Sequence, residues 1–441
     1  MTKKKKLSSA QIIILGFAGV ILTGSLLLML PISSRAGVVT PFTDTLFTAT
    51  SAVCVTGLVV QDTATYWSTF GQAIILTLIQ IGGMGVVTVS VALSLISGRK
   101  INLRQRSTMQ ESISAHQVGG IIKLTYFIIK MTVIFELAGA LLMAPVFCRD
   151  FGQGKGIWYS VFHSISAFCN AGFDLMGVNS PYSSLTGFAG EPIINIVIML
   201  LIVIGGIGFI TWDDVKVNRL KFRRYRMQSK VILSVTACLI FLPALYLFFF
   251  EFSDLPLKER ILGSLFQSVT LRTAGFNTLD LTTISEAGVG IMIILMVIGG
   301  SPGSTAGGVK TTTLAVMLAN AGSVFRRREH PQFFGRRIEE GVVRHAATLV
   351  TMYFVMFMTG GFIISRIENL PLLTCLFETG SAVGTVGLTM GITPGLGQVS
   401  RLILIALMYF GRVGGLTLIF ATVAGHQGHT SRLPQGKLTV G

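Results

Sequence analysis

Cys54-Val55-Thr56-Gly57-Leu58, Cys169-Asn170-Ala171-Gly172-Phe173, Arg272-Thr273-Ala274-Gly275-Phe276 and Gly384-Thr385-Val386-Gly387-Leu388 are four copies of one pattern, a small-polar run closed by glycine and a large apolar residue. Phe47, Phe162 and Phe377 stand ten positions ahead of their glycines, and Phe266 stands nine ahead. A second element follows each copy in the next apolar stretch: Ile81-Gly82-Gly83-Met84-Gly85, Ile204-Gly205-Gly206-Ile207-Gly208, Ile298-Gly299-Gly300-Ser301-Pro302-Gly303 and Phe410-Gly411-Arg412-Val413-Gly414. Internal repetition of this kind decides the architecture before any local propensity does. Each repeat reads as an outer helix, a short amphipathic helix, an extended glycine-bearing strand, and an inner helix with small residues at its middle. The second repeat carries an insertion in its outer loop, around Pro181 to Gly190.

The chain around these motifs is built for lipid. It is 51% hydrophobic and 12% charged, against the roughly 25% charged residues usual in soluble domains. Windows of about 20 apolar residues, long enough to cross a bilayer, recur along its length. The clearest are Gln11 to Leu30, Ile193 to Thr211, Val231 to Phe250 and Leu402 to Val423. The first is read as a retained anchor, because no small-residue cleavage pattern follows it before Pro31. The segments Pro41 to Gly57, Ile157 to Gly172, Lys258 to Gly275 and Pro371 to Gly387 are too short and too polar at their ends to cross and return as full helices. They are expected to be re-entrant, since non-helical backbone at membrane depth is tolerated only inside protein or along a watery cavity. The expected fold is therefore an all-α membrane protein: four repeats of helix, re-entrant pore loop and helix around a single pore, with eight transmembrane spans. The expected boundaries are 1–100, 101–226, 227–328 and 329–441.

A formal charge of +16 raises the question of nucleic acid, but the basic runs Lys216 to Lys230 and Arg326 to Arg328 lie between apolar spans. Excess Lys and Arg there marks the cytoplasmic side, which puts both termini in the cytoplasm and leaves no nucleic-acid partner. The five cysteines are scattered without metal-ligand spacing, so neither a disulfide framework nor a transition-metal site is expected.

Four re-entrant loops around one axis suit a monovalent cation, potassium above all. A dehydrated potassium ion regains oxygen ligands from rings of backbone carbonyls, and glycine reaches the backbone angles that aim them without steric penalty. Gly57, Gly172, Gly275 and Gly387 are the leading candidates. Val55, Thr56, Asn170, Ala171, Thr273, Ala274, Thr385 and Val386 would supply the carbonyls beneath them. Asp44, Asp62, Asp174, Asp280 and Glu378 are expected at the outer mouth, where they would concentrate cations. The third inner helix is interrupted by Gly299-Gly300-Ser301-Pro302-Gly303-Ser304-Thr305-Ala306-Gly307-Gly308. Proline removes a backbone donor and the glycines favour unwinding, so this stretch is expected to be an intramembrane gating loop. Lys310 and Arg412 are charges at the same depth and hence functional candidates, Arg412 as a hydrogen-bond partner of the loop carbonyls or as an electrostatic barrier. Gly303 to Thr311 nearly matches a phosphate-binding glycine loop, but Val309 is an extra residue before Lys310 and the αβ context is missing. Lys130 and Glu136 are read as an internal pair or as snorkelling groups.

These filter segments, the Gly-Ser-Thr-rich break and Arg412 together resemble the Trk/Ktr/HKT superfamily of potassium transporters over essentially the whole chain. Beginning directly with the first repeat, the chain most resembles the Ktr membrane subunit. That resemblance implies a homodimer in the plasma membrane with one pore per protomer, and a cytosolic ring of regulatory subunits that carries the nucleotide. It also implies that glycine in all four filter segments accompanies potassium preference. The third repeat's shorter pore helix and Arg272 depart from the pattern. Two other classes remain. A secondary transporter, sodium-coupled or sodium-permeable, would share broken helices and repeats, although such repeats are typically paired and inverted and these run in one direction. A membrane enzyme would need a nucleophile, base or metal cluster that the chain does not offer.

Overall fold

The computed structural model describes residues 8–97, 103–112, 120–219, 221–415 and 417. The carboxyl-terminal part of the span expected over Leu402 to Val423 lies outside the described residues.

The first repeat comprises α1 (Ser9–Met29), α2 (Phe42–Cys54), α3 (Thr69–Met84) and α4 (Val86–Ile96), followed by a linking helix α5 (Leu103–Ser112). The second comprises α6 (Ile121–Phe151), α7 (Gln153–Phe168), α8 (Pro192–Gly206) and α9 (Phe209–Asn218). The third comprises α10 (Met227–Tyr246), α11 (Leu257–Thr270), α12 (Glu286–Val297) and α13 (Thr311–Phe325), with a hairpin of β1 (Gln332–Phe333) and β2 (Arg336–Arg337) after it. The fourth comprises α14 (Glu340–Glu368), α15 (Leu372–Gly384) and α16 (Gln398–Val413).

The outer helices α1, α6, α10 and α14 are each long and apolar enough to cross a membrane, and only about a third of each is buried in protein. Leu26, Leu141 and Phe241 are among the large apolar side chains left on their outer faces, as expected where lipid tails are the solvent. The short helices α2, α7, α11 and α15 are the opposite, with buried residues running almost all round toward their carboxyl ends. Three of them start directly after a proline, Pro41, Pro256 or Pro371, whose fixed φ suits a helix entry and whose ring cannot continue the helix before it.

The repeats close into a ring. Each outer helix packs on its own short helix: α1 on α2, α6 on α7, α10 on α11, α14 on α15. Each inner helix packs on the short helix of the next repeat: α3 on α7, α8 on α11, α12 on α15, and α16 back on α2. The inner glycines make this possible. A side-chain carbon on Gly82, Gly205 or Gly411 would collide with the carbonyl oxygen of Val53, Phe168 or Val383, near the end of the short helix of the same repeat. Close packing, the plainer reading of these glycines, is thus how the inner helices reach the centre.

The first two inner helices bend sharply just after their glycine pairs, which the sequence reading placed only as small residues at the helix middle. α3 and α4 meet at 95° and α8 and α9 at 97°. The pivots are Gly85 (φ 86°, ψ 133°) and Gly208 (φ 92°, ψ 143°), and Gly414 at the end of α16 has the same conformation (φ 88°, ψ 134°). Side-chain-bearing residues avoid this region of backbone space. Gly85→Ala isolates the effect, because nothing lies closer than 3.7 Å to the added carbon. The substitution should cost about 1–3 kcal/mol, lowering the thermal unfolding midpoint of the purified protein, whereas Gly19→Ala, in open space at negative φ, should leave it unchanged.

Candidate functional site

The four short helices end in the same way. Val55, Asn170, Thr273 and Thr385, each two residues before its glycine, adopt φ of 58°, 59°, 64° and 55°. Gly57, Gly172, Gly275 and Gly387 follow at 95°, 69°, 84° and 94°. Alternating left-handed residues of this kind turn successive backbone groups toward one side of the strand. Serine locks the turn. Ser51 and Ser381 accept from the amides of Gly57 and Gly387 at 3.0 Å, and Ser166 donates to the Phe173 carbonyl at 2.7 Å. Thr270 donates to the Phe276 carbonyl at 2.6 Å.

The single-residue irregularity of the third repeat is absorbed at this turn. The amides of Thr56, Ala171 and Val386 each reach back five residues, to Ser51, Ser166 and Ser381, whereas Ala274 reaches back four, to Thr270. With 14 residues α11 is shorter than α7, which has 16, but not than α2 and α15, which have 13 each. Arg272 is buried, and its carbonyl accepts from the Asn170 side-chain Nδ2 at 3.3 Å, so it belongs to the frame between the second and third strands.

The four glycines touch head to tail. A side-chain carbon on Gly57 would lie 2.6 Å from the Ala171 carbonyl oxygen, and one on Gly172 would lie 2.6 Å from that of Ala274. On Gly275 it would meet the Val386 oxygen, and on Gly387 the Thr56 oxygen, closing the circle. Around this ring the hydroxyls of Thr56, Thr273 and Thr385 are buried without a hydrogen-bond partner in the protein. Buried polar atoms ordinarily find partners. Neutral oxygens of this kind suit a monovalent cation rather than a transition metal.

Above the ring, a cavity of about 140 Å³ is lined by the four glycines together with Asp62 and Asp174. Burial, reinforced by the Asp62 carboxylate, pushes the Asp174 carboxyl up to about 7, against the Met176 amide that donates to it at 2.9 Å. The other three acidic residues expected at the mouth serve the frame. Asp44 pairs with Arg401 at 2.7 Å, Glu378 accepts from Thr389 and Thr393, and Asp280 holds the turn at Thr282. Sequence reasoning had no access to these partners, which in the case of Asp44 lie at the other end of the chain.

Below the ring lies a cavity of about 670 Å³ whose lining includes Gly303, Ser304, Ala306, Lys310, Tyr353 and Arg412. The interruption of the third inner segment forms its roof. The stems of the loop are zipped by a parallel bridge between Ile298 and Val309, so α13 resumes the direction of α12. The Phe209 amide donates to the Gly303 carbonyl at 2.7 Å, and the Ser301 and Thr305 amides donate to Gly206 and Gly205 at 3.0 and 3.3 Å. The Thr305 hydroxyl reaches the Asn170 side chain at 3.1 Å, and Gly307 lies so close under Thr385 that a side chain there would strike it. Arg412, half-buried, donates to the carbonyls of Thr305, Gly82 and Gly83, tying the loop to the first and fourth repeats. Lys310 donates to the Ala306 and Gly307 carbonyls at 2.9 and 3.2 Å. Its ammonium is used within its own loop, which removes the resemblance to a phosphate loop. Glu136 is buried on α6 and Lys130 is exposed there; the two form no ion pair among the described residues.

A family profile, TrkH, described as a cation transport protein, matches residues 8–432. The chain belongs to the TrkH cation transport family. It is 41% identical over 427 residues to the potassium/sodium uptake protein NtpJ of Enterococcus hirae, covering 95% of this chain and 93% of that one. It is 39% identical to the Ktr system potassium uptake protein B of Bacillus subtilis, covering 98% and 96%. Among solved structures, the potassium transporter TrkH from Vibrio parahaemolyticus shares the fold, with a TM-score of 0.74 at 18% identity over 95% of this chain and 86% of that one.

Proposed function

We propose that this member of the TrkH family is the pore-forming subunit of a Ktr-like system and takes up potassium across the plasma membrane. The observation that carries the reading is the closed ring of Gly57, Gly172, Gly275 and Gly387 with its unsatisfied threonine hydroxyls. A hydrated ion entering the outer cavity meets Asp62 and Asp174. It exchanges water for the carbonyls of Thr56, Ala171, Ala274 and Val386, with Val55, Asn170, Thr273 and Thr385 below them. The carboxyl ends of the four short helices, with their partial negative charge, converge on the ion. Potassium suits such a site because neutral carbonyls hold it strongly enough to replace hydration and weakly enough to release it.

Residues 299–308 then act as the gate. Their carbonyls are held by Lys310 and Arg412, and release of the Thr305 contact would clear the path into the lower cavity. The two cations beneath the filter add an electrostatic barrier while the loop is in place. The chain would work as a homodimer with both termini cytoplasmic. Its gate would be governed by a cytosolic ring of nucleotide-binding subunits, for which Arg326, Arg327 and Arg328 at the end of α13 are the docking candidates. The nucleotide belongs to that partner.

Rubidium uptake into proteoliposomes tests the reading: flux should persist in excess external sodium, and equal inhibition by sodium and potassium would instead support a sodium-permeable carrier. Gly57→Ser places a side chain against the Ala171 carbonyl at a φ of 95°, so its potassium-to-sodium permeability ratio should fall about tenfold or more, roughly the effect of losing one ligand-geometry contribution of 1.4 kcal/mol. An unchanged ratio would remove Gly57 from the filter. Deleting Ser301 to Ala306 should raise basal rubidium flux; a folded deletion protein that conducts no more than the parent would place the gate elsewhere.

A further inference from the structure

The turn between α9 and α10 brings Arg223, Arg224, Arg226 and Lys230 around one pocket of about 350 Å³, and the hairpin contributes a fifth cation, Arg336. We infer that this pocket binds the phosphate-bearing headgroup of an anionic phospholipid. Arg226 faces Asp213 at 3.7 Å. Among the described residues no carboxylate comes within ion-pair distance of the other four cations. Gathering like charges into one concavity is unfavourable unless an anion offsets it.

The pocket is held open by its frame rather than by chance side-chain placement. Buried Asp214 accepts from the Arg226 amide at 2.7 Å. The hydroxyl of buried Tyr225 donates to the Arg219 carbonyl. Lys230 donates to the Arg223 carbonyl at 2.8 Å, which fixes its ammonium at the rim. It also lies over the Phe334 ring at 5.7 Å.

Position selects a lipid over a soluble phosphate. Lys230 sits in the first turn of α10, a membrane-crossing helix, so the pocket lies at the level where a bilayer presents its headgroups. Phe222 and Phe334, both exposed, meet edge to face at 6.3 Å beside the cations. Interfacial segments combine basic side chains with apolar ones such as Phe, and here the two rings offer apolar surface to the acyl chains of a lipid whose headgroup fills the pocket. The inference does not depend on which ion the chain carries, and its test needs no flux.

Purified full-length protein in neutral detergent is titrated with dioctanoyl phosphatidylglycerol, dioctanoyl phosphatidylcholine or inorganic phosphate, with the thermal unfolding midpoint as readout. Phosphatidylglycerol should raise the midpoint saturably and the other two should not. The combined Arg223→Gln, Arg224→Gln and Arg336→Gln variant should need at least about tenfold more phosphatidylglycerol, since each basic residue at an anionic surface contributes several-fold. Arg224→Gln alone, which leaves the frame intact, should need a few-fold more, and Arg→Lys at all three positions should stay near the parent. An unshifted titration of both Gln variants overturns the site. Equal protection by phosphatidylcholine shows that the headgroup charge is not read, and equal protection by inorganic phosphate assigns the pocket to a soluble anion; either result overturns the proposal. So does a phosphatidylglycerol-insensitive parent whose pocket variants lose retention of an acidic cytosolic protein, which would make this a protein-docking surface.

Discussion

Everything in this structure depends on four glycine backbones approaching one another without side chains between them. At Gly57, Gly172, Gly275 and Gly387 the added carbon of any other residue would occupy the place of a carbonyl oxygen from the neighbouring repeat. Contact at that distance requires that the short helices end at the same depth and that each turn outward through a left-handed residue. The outer and inner helices are then placed by what must surround those ends. Gly82, Gly205 and Gly411 let the inner helices lie directly on the backbone of the short helices, and the exchange of neighbours from α3 on α7 through α16 on α2 closes the ring.

The third repeat shows how such a ring can be made asymmetric without being broken. Its strand keeps the register through a one-residue tightening at Thr270, while its inner segment gives up helix over residues 298–310. The loop thus formed is bonded to repeat two through Gly205, Gly206, Phe209 and Asn170, and to repeats one and four through Arg412. A guanidinium with several planar donors can hold three carbonyls from two repeats at once, which an ammonium at the same place could not match in geometry. A segment held by hydrogen bonds rather than by packed apolar surface can be released by small changes at its contacts, which is the property the proposed gate requires.

Much of this was legible in the sequence because unusual backbone leaves a compositional trace. The four closing glycines and the Gly-Ser-Thr-rich break need residues that few other situations demand, and Arg412 stands out as a charge at membrane depth. The locks were also written there, as Ser51, Ser166 and Ser381 six positions before their glycines and Thr270 five before, but an offset of that kind acquires meaning only once the turn is seen. The bends at Gly85 and Gly208 escaped for a different reason: a glycine in a membrane helix serves close packing and helix breaking equally well, and this chain uses neighbouring glycines for both. The fate of Asp44, Glu378 and the basic turn around Arg224 depended on Arg401, Thr393 and Arg336, residues remote along the chain, and periodicity carries no information about such partners.

The proposed function requires the four-strand ring to bind the transported cation on its axis. Crystals of the protein soaked in rubidium or thallium, measured for anomalous scattering, test it most directly. The expected result is a peak on the axis enclosed by the carbonyl oxygens of Thr56, Ala171, Ala274 and Val386, which weakens in the Gly57→Ser variant. Peaks confined to the cavity below the loop, with none inside the ring, would contradict it.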